Sequence, residues 1–361
     1  MNATRRLHDL GQSLWLDNIT RGMLADGTLR RYRDELSVTG LTSNPTIFDH
    51  AIANSTAYDA AVRRKAREGK SGERLFIELA LEDLTEAAEL FRPVHQQTGG
   101  VDGWVSLEVS PLLAYDTTST LAEARALAER AARPNIFIKI PGTPEGVPAI
   151  EEAITAGVPI NVTLLFSPEQ YRASAEAYFR GVERRLAAGL DPRVRSVASL
   201  FVSRWDRAVA GRIPGPLQNR LGIAIARQTY RVYRELLASS RWSGLAARGA
   251  LPQRLLWAST GTKDPKAPDV LYIEALAAPD TIVTIPDATL LAFADHGTVG
   301  DVLPADGGNA DAVVADFGQA GVDVAALGQQ LQRDGAAAFV TSWKDLMNRI
   351  AAKAEALRRT A

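Results

Sequence analysis

An α/β fold in which eight parallel strands close into a (β/α)8 TIM barrel, with additional C-terminal helices, is the architecture this sequence predicts. Three observations predict it. Short β-like runs alternate with longer helix-like stretches from the N-terminus to about residue 290, the pattern of parallel strands joined by crossover helices. Eight such runs occur, the number a barrel needs, although a doubly wound open sheet would leave a similar one-dimensional trace. Polar residues recur near the C-terminal ends of seven of the runs, and the C-terminal mouth is where such a barrel gathers its chemistry. No Gly/Ser- or Pro-rich tract is long enough to separate domains, so the 361 residues are expected to form one domain, 1–361.

The first run, "SLWLD" (13–17), closes on Asp17, and the second, "SVTGLTSN" (37–44), closes on Asn44. Side chains alternate faces along a strand, so parity sorts the next three. In "GWVSLEV" (103–109), Trp104, Ser106 and Glu108 oppose Val105, Leu107 and Val109. In "NIFIKI" (135–140), Ile136, Ile138 and Ile140 suit packing against helices, which turns Asn135, Phe137 and Lys139 into the barrel. In "VPINVTLLF" (158–166), Asn161 and Thr163 oppose Ile160, Val162 and Leu164. "VRSVASLF" (194–201) and "LLWAST" (255–260) carry Ser199 and Ser259 towards their ends, and "TIVTI" (281–285) is the eighth run. The intervening stretches are rich in alanine, leucine and arginine. In 167–189, for example, Ser167 or Pro168 can start a helix and Gly189 can end it. From residue 301 the character changes to a loop and short helix, then a long helical stretch over 324–359. This extension, 301–361, is expected to pack across the scaffold.

Lys139 is the residue that most needs explaining. Only seven of the 41 basic residues are lysines, yet one stands in an apolar run. A buried ammonium is costly unless it is paired or sheds its proton. An isolated lysine of this kind is most simply a snorkelling or ion-paired one. Convergence of polar groups from seven strands on one mouth argues instead for a reagent. The inventory there is one lysine, two carboxylates (Asp17 and Glu108), two asparagines, Thr163 and two serines. A desolvated amine can condense with a ketone, and the resulting imine accepts electrons while a neighbouring carbon–carbon bond breaks. Glu108 with Thr163 could hold a water for the proton transfers, and Asp17 could take the proton from the hydroxyl at the bond being cleaved. The hydroxyls and amides suit a polyol.

Composition excludes several classes. With 46% hydrophobic and 23% charged residues and a net charge of −1, the chain has no polycationic footprint for nucleic acid or an anionic membrane. It has no cysteine, hence no disulfide, thiolate metal site or cysteine nucleophile. The start lacks the apolar core of a signal peptide, and no stretch approaches the roughly 18 apolar residues of a membrane span, so a cytoplasmic protein is expected. Four histidines without ligand spacing suggest surface or structural roles and no metal. "GKS" (69–71) lacks the upstream glycine of a phosphate-binding loop, and "RRKAREGK" (63–70) is expected to be a solvated helix face. "NAT", "NST" and "NVT" match the glycosylation acceptor pattern without a secretion signal. Trp104 and Trp257 are expected as core filler beside the site.

The segments "GLTSNPTIF" (40–48), "LEVSPLLAYD" (107–116), "IKIPGTPEG" (138–146), "INVTLLFS" (160–167), "SLFVSRWD" (199–206) and "WASTGTK" (257–263) together resemble the successive signatures of transaldolases. The resemblance implies a (β/α)8 barrel with a Schiff-base lysine on the fourth strand and no metal or organic cofactor. It implies transfer of a dihydroxyacetone unit from sedoheptulose 7-phosphate to glyceraldehyde 3-phosphate in the pentose phosphate pathway. By the same resemblance Lys139 is the imine-forming nucleophile, Asp17 the acid/base for aldol cleavage, and Glu108 with Thr163 the pair that activates water. Asn44, Asn161 and Ser199 would hold the donor's hydroxyls, and Arg204 with Ser259 the phosphate. The better-known members place an arginine soon after the serine of the seventh strand, where this chain reads "STGTKDPK"; Lys263 is the candidate substitute. The similar fructose 6-phosphate aldolase type is the nearest alternative, but the resemblance implies that it differs at Glu108 and Phe201 and is shorter. A non-catalytic sugar-phosphate-binding protein is the other alternative, although a binder needs no nucleophile. Sugar phosphates are the expected partners, and both monomer and homodimer stay open.

Overall fold

The computed structural model describes residues 2–53 and 55–359. Met1, Asn54, Thr360 and Ala361 lie outside the described residues, and with them the asparagine of "NST" and the outermost ends of the 1–361 domain and the 301–361 extension. Among the described residues eight strands form: β1 (Ser13–Leu16), β2 (Val38–Thr42), β3 (Val105–Glu108), β4 (Ile136–Pro141), β5 (Ile160–Leu165), β6 (Ser196–Phe201), β7 (Gln253–Ala258) and β8 (Ile282–Ile285). They pair in chain order, all parallel, and β8 closes onto β1. Helices connect successive strands, so the open-sheet alternative is excluded and the barrel stands. Among the described residues no helix is long and apolar enough to cross a membrane.

Every predicted run contains or overlaps its strand, and β7 alone begins before its run, by two residues. The cause is a buried polar floor. Arg254 Nη2 donates to Ser13 Oγ and the Thr281 carbonyl, and Gln253 Nε2 donates to Ser196 Oγ. Above that floor the barrel is filled by rings: Phe137 stacks on Trp104 at 4.0 Å and leans on Trp15 at 6.1 Å. A Cβ at Gly40 would lie 2.5 Å from the Trp104 carbonyl oxygen and 3.0 Å from the Trp15 ring, so only glycine fits there. Ile136, Ile138 and Ile140 belong to the shell between sheet and helices, as parity requires.

Parity fails at one predicted position. Leu164 does not share the outer face of Ile160 and Val162. Its φ is +58°, the β5–β6 register slips between Val162 and Leu165, and its side chain joins the inner cluster with Phe166. A left-handed leucine is strained, and such strain persists where surrounding contacts over-determine it. Trp257 is fully buried core, as expected, but on the outer side of the sheet, away from the site, its ring 6.4 Å from that of Tyr230, whereas Trp104 fills the interior. The basic cluster is solvated at Arg64, Arg67 and Glu68, as expected, but not at Lys65. Lys65 is only 8% exposed, with Nζ 3.1 Å from Glu78 and 2.8 Å from Glu82 of the Gly72–Gln97 helix, and Lys70 pairs with Glu68 and Glu78.

The helix over 168–187 begins as expected, with Ser167 Oγ accepting the Gln170 N–H at 3.2 Å and Pro168 in the first turn. Gly189 follows its end at φ +68°. After a short Ala310–Gln319 helix, the Val324–Arg359 helix runs for 36 residues, about 54 Å at 1.5 Å per residue. It crosses the C-terminal mouth, where buried Gln332 Nε2 donates to the carbonyls of Gly142 (2.9 Å) and Leu164 (3.0 Å).

Candidate active site

A cavity of about 300 Å³ opens at the C-terminal mouth. Nine of the eleven predicted site residues line it: Asp17, Asn44, Lys139, Thr163, Ser199, Phe201, Arg204, Ser259 and Lys263. Glu108 and Asn161 lie just behind, each bonded to a lining residue. The eleven positions come from seven strands or the turns that follow them, and the strands' pairing sets their spacing. In the β3–β4 register Glu108 stands opposite Lys139, and in the β4–β5 register Asn161 stands opposite Lys139 and Thr163 opposite Pro141.

Lys139 and Glu108 form a buried pair, with side chains 6% and 4% exposed and Nζ 3.2 Å from Oε2. Nζ also donates to the Ser43 carbonyl at 3.2 Å. Burial pushes the Glu108 carboxyl above its ordinary range, and the Lys139 charge pulls against that rise. The carboxyl lies within hydrogen-bond reach of the ammonium, the geometry that a proton transfer between them needs. Its other oxygen, Oε1, and Thr163 Oγ1 are buried without a hydrogen-bond partner among the described residues. Each of these atoms is free to accept a hydrogen bond from, or donate one to, a small polar molecule.

The side chains expected to bind a polyol are oriented by neighbouring polar groups. Ser199 Oγ donates to Asn161 Oδ1 at 2.7 Å, and Asn161 Nδ2 donates to Ser106 Oγ at 3.0 Å, which fixes the amide's direction. Thr42 Oγ1 donates to Asp17 Oδ1 at 2.9 Å, aiming the carboxylate from the end of β1. Asn44 Oδ1 accepts the Ile47 N–H at 3.1 Å, so this residue starts the Pro45–Ala53 helix while lining the cavity. That helix adds Thr46, Ile47 and His50, the last at the exposed rim. Among the described residues no group of three or more His, Cys, Asp or Glu could hold a metal ion.

Arg204, on the Ser203–Val209 helix, is flanked by two rings: Cζ lies 5.0 Å from the Phe201 centroid and 5.8 Å from that of Phe339. Burial, with Arg207 adding, lowers its guanidinium from the ordinary value, while Asp17 and Glu108 oppose the fall. Ser259 sits at φ +56° with Oγ 3.0 Å from Ser203 Oγ. Lys263 is exposed at the cavity edge, and its Nζ lies 3.5 Å from where a Cβ on Gly261 would be.

Parity within the eighth run could have found Thr284, which shares the inward face with Ile282 and lines the cavity. Thr42 and the Ser43 carbonyl lie within the segment "GLTSNPTIF", where no spacing distinguishes them from their neighbours. No local pattern points to Phe339, which arrives from a helix 200 residues beyond Lys139 and lies over it at 5.9 Å.

The model of the family described as transaldolase/fructose-6-phosphate aldolase matches residues 14–350. The chain is 44% identical over 358 residues to a transaldolase of Thiobacillus denitrificans, covering 97% of this chain and 100% of that protein. It is 45% identical over 356 residues to a transaldolase of Thermobifida fusca, with 96% and 97% covered. To transaldolase 2 of Nostoc punctiforme it is 39% identical over 376 residues, with 99% and 98% covered. A closed parallel barrel, a buried lysine paired with a glutamate at its mouth and full-length similarity agree: the chain belongs to the transaldolase/fructose-6-phosphate aldolase family.

Proposed function

We propose that the chain is a transaldolase, moving a dihydroxyacetone unit from sedoheptulose 7-phosphate to glyceraldehyde 3-phosphate and yielding erythrose 4-phosphate and fructose 6-phosphate. The observation that carries this reading is the Lys139–Glu108 pair, buried yet open on one side to a polar cavity. Glu108 takes the ammonium proton, and the freed amine adds to C2 of the ketose. A water between Glu108 Oε1 and Thr163 Oγ1 delivers a proton to the carbinolamine oxygen, which leaves as water, so the imine forms. Asp17 then removes the C4 hydroxyl proton, the C3–C4 bond breaks, and its electrons enter the imine to give an enamine. The aldose phosphate departs. When the acceptor arrives, C3 attacks its aldehyde carbon, Asp17 returns the proton to the new hydroxyl, and water from the Glu108 side hydrolyses the imine.

Asn161, Ser199 and Asn44 bind the sugar hydroxyls in this reading, Phe201 walls the cavity, and Arg204, Ser259 and Lys263 receive the phosphate. Support for Lys263 is spatial: its ammonium reaches into the room that a side chain at residue 261 would take. The reading carries with it a single domain, a cytoplasmic place in the pentose phosphate pathway, no metal or organic cofactor, and a monomer or homodimer. Borohydride added with fructose 6-phosphate should trap a reduced three-carbon adduct on Lys139, located by peptide mass. Full activity in Lys139→Ala would defeat the proposal.

A further inference from the structure

We propose that Phe339 is a specificity-determining lid: its ring keeps bulk water from the enamine on Lys139, so that C3 adds to an acceptor aldehyde instead of taking up a proton. This rests on the imine chemistry assigned to Lys139 and extends it to the C-terminal helix. One ring covers both charged ends of the site, with its centroid 5.9 Å from Lys139 Nζ and 5.8 Å from Arg204 Cζ, and it is 5% exposed. The ring face also favours the positive charge of the protonated imine.

Sequence spacing on the helix explains how the ring reaches that position. Gly328, Gln332, Gly335 and Phe339 recur at intervals of four, three and four, one stripe of an α-helix. A Cβ at Gly335 would lie 3.0 Å from Leu164 Cδ2 and 3.2 Å from Arg204 Nη1, so the missing side chain lets the backbone descend onto the mouth. Gln332 then ties the helix to the carbonyls of Gly142 and Leu164, beside the ends of β4 and β5. Further along, Ser342 Oγ accepts from Thr46 Oγ1 at 2.8 Å and Arg349 pairs with Asp49 at 2.7 Å, joining it to the helix that forms the other rim. The lid is thus held from both sides.

The enamine has two fates. With an acceptor, C3 bonds to the aldehyde carbon, whose oxygen takes a proton, and hydrolysis releases the new ketose. With water alone, C3 takes a proton, a water adds to C2, the C–N bond breaks, and dihydroxyacetone leaves as the amine is restored. Excluding water from the C3 face suppresses the second fate without hindering the first.

The test compares, in one preparation, free dihydroxyacetone released from fructose 6-phosphate with carbon transfer from it to erythrose 4-phosphate. Both rates come from the same folded molecules, so their ratio does not depend on how much of a variant folds. Phe339→Ala should raise the release-to-transfer ratio about tenfold, equivalent to about 1.4 kcal/mol between the two barriers. Gly335→Val, which lifts the helix and leaves the ring intact, should raise it likewise, and Phe339→Leu by less. A wild-type ratio in Phe339→Ala and Phe339→Leu alike overturns the lid. A borohydride adduct on wild-type Lys139 with unchanged ratios defeats the lid alone; absence of the adduct defeats the imine reading beneath it.

Discussion

Replacing Glu108 with glutamine keeps the shape of the side chain and removes its charge and its capacity to take a proton. At 3.2 Å the pair's gross attraction is about 5 kcal/mol for an effective dielectric of about 20. Desolvation of two buried ions offsets much of it, and breaking one side of such a pair costs about 3–5 kcal/mol if the other charge stays. Glu108→Gln leaves Lys139 beside a neutral amide, with no group at that position to carry protons to and from the carbinolamine. Loss of general acid–base assistance then sets the effect: turnover should fall about 100- to 1000-fold, about 3–4 kcal/mol, with KM within about threefold. Rapid mixing with fructose 6-phosphate followed by a borohydride quench measures imine formation directly, and that rate should fall by the same factor as turnover. In the wild type, activity should fall as pH drops through the raised Glu108 value, above the ordinary glutamate range, because a protonated carboxyl takes no proton. The variant should lose this limb. Unchanged turnover, or a loss lodged wholly in KM, would refute the reasoning.

Two other outcomes follow from the same geometry and burial. Lys263→Ala should raise KM for fructose 6-phosphate about tenfold with little change in turnover, while activity on unphosphorylated fructose stays constant; equal losses on both sugars would remove Lys263 from the phosphate site. Burial pushes the Glu123 carboxyl up to about 7, with Glu73 adding and the Ser110 N–H opposing. A raised folded value means stability that is complete below the ordinary range and lost as pH rises through about 7. The ceiling is about 3 kcal/mol, which partial exposure reduces to about 1–2. Glu123→Gln should therefore match wild type in urea unfolding near pH 4 and exceed it by that amount at pH 8. A difference that does not vary with pH would sink the assignment.

Period-two alternation made most of the barrel legible because it is local. Lys139 among three isoleucines has one interior solution, and neighbouring strands that obey the same rule bring Glu108 and Asn161 opposite it. What escaped lies where a different force overrode the alternation. Arg254 and Gln253 form a polar stretch at the head of a strand, acceptable only because carbonyls and hydroxyls from β1, β6 and the segment before β8 meet them. Leu164 breaks parity because the chain turns there in a left-handed conformation, which no composition of "NVTLLF" betrays. Within the otherwise solvated "RRKAREGK", Lys65 is buried because Glu78 and Glu82, one helical turn apart on the next helix, face it.

Leu164 connects these departures to catalysis. Regular alternation after Thr163 would send Leu164 outward; the reversal instead brings its side chain into the mouth and leaves its carbonyl where Gln332 donates to it. The same side chain limits how near Gly335 can approach, its Cδ2 being 3.0 Å from the Cβ position. The strained residue therefore does for the C-terminal helix what register does for the strands: it fixes the height at which Phe339 lies over Lys139. A strand running on regularly would still pair Thr163 with Pro141, but it would offer the helix no seat. On this argument the cost of a left-handed leucine, of order 1–3 kcal/mol, is retained for the placement of a ring that belongs to neither strand.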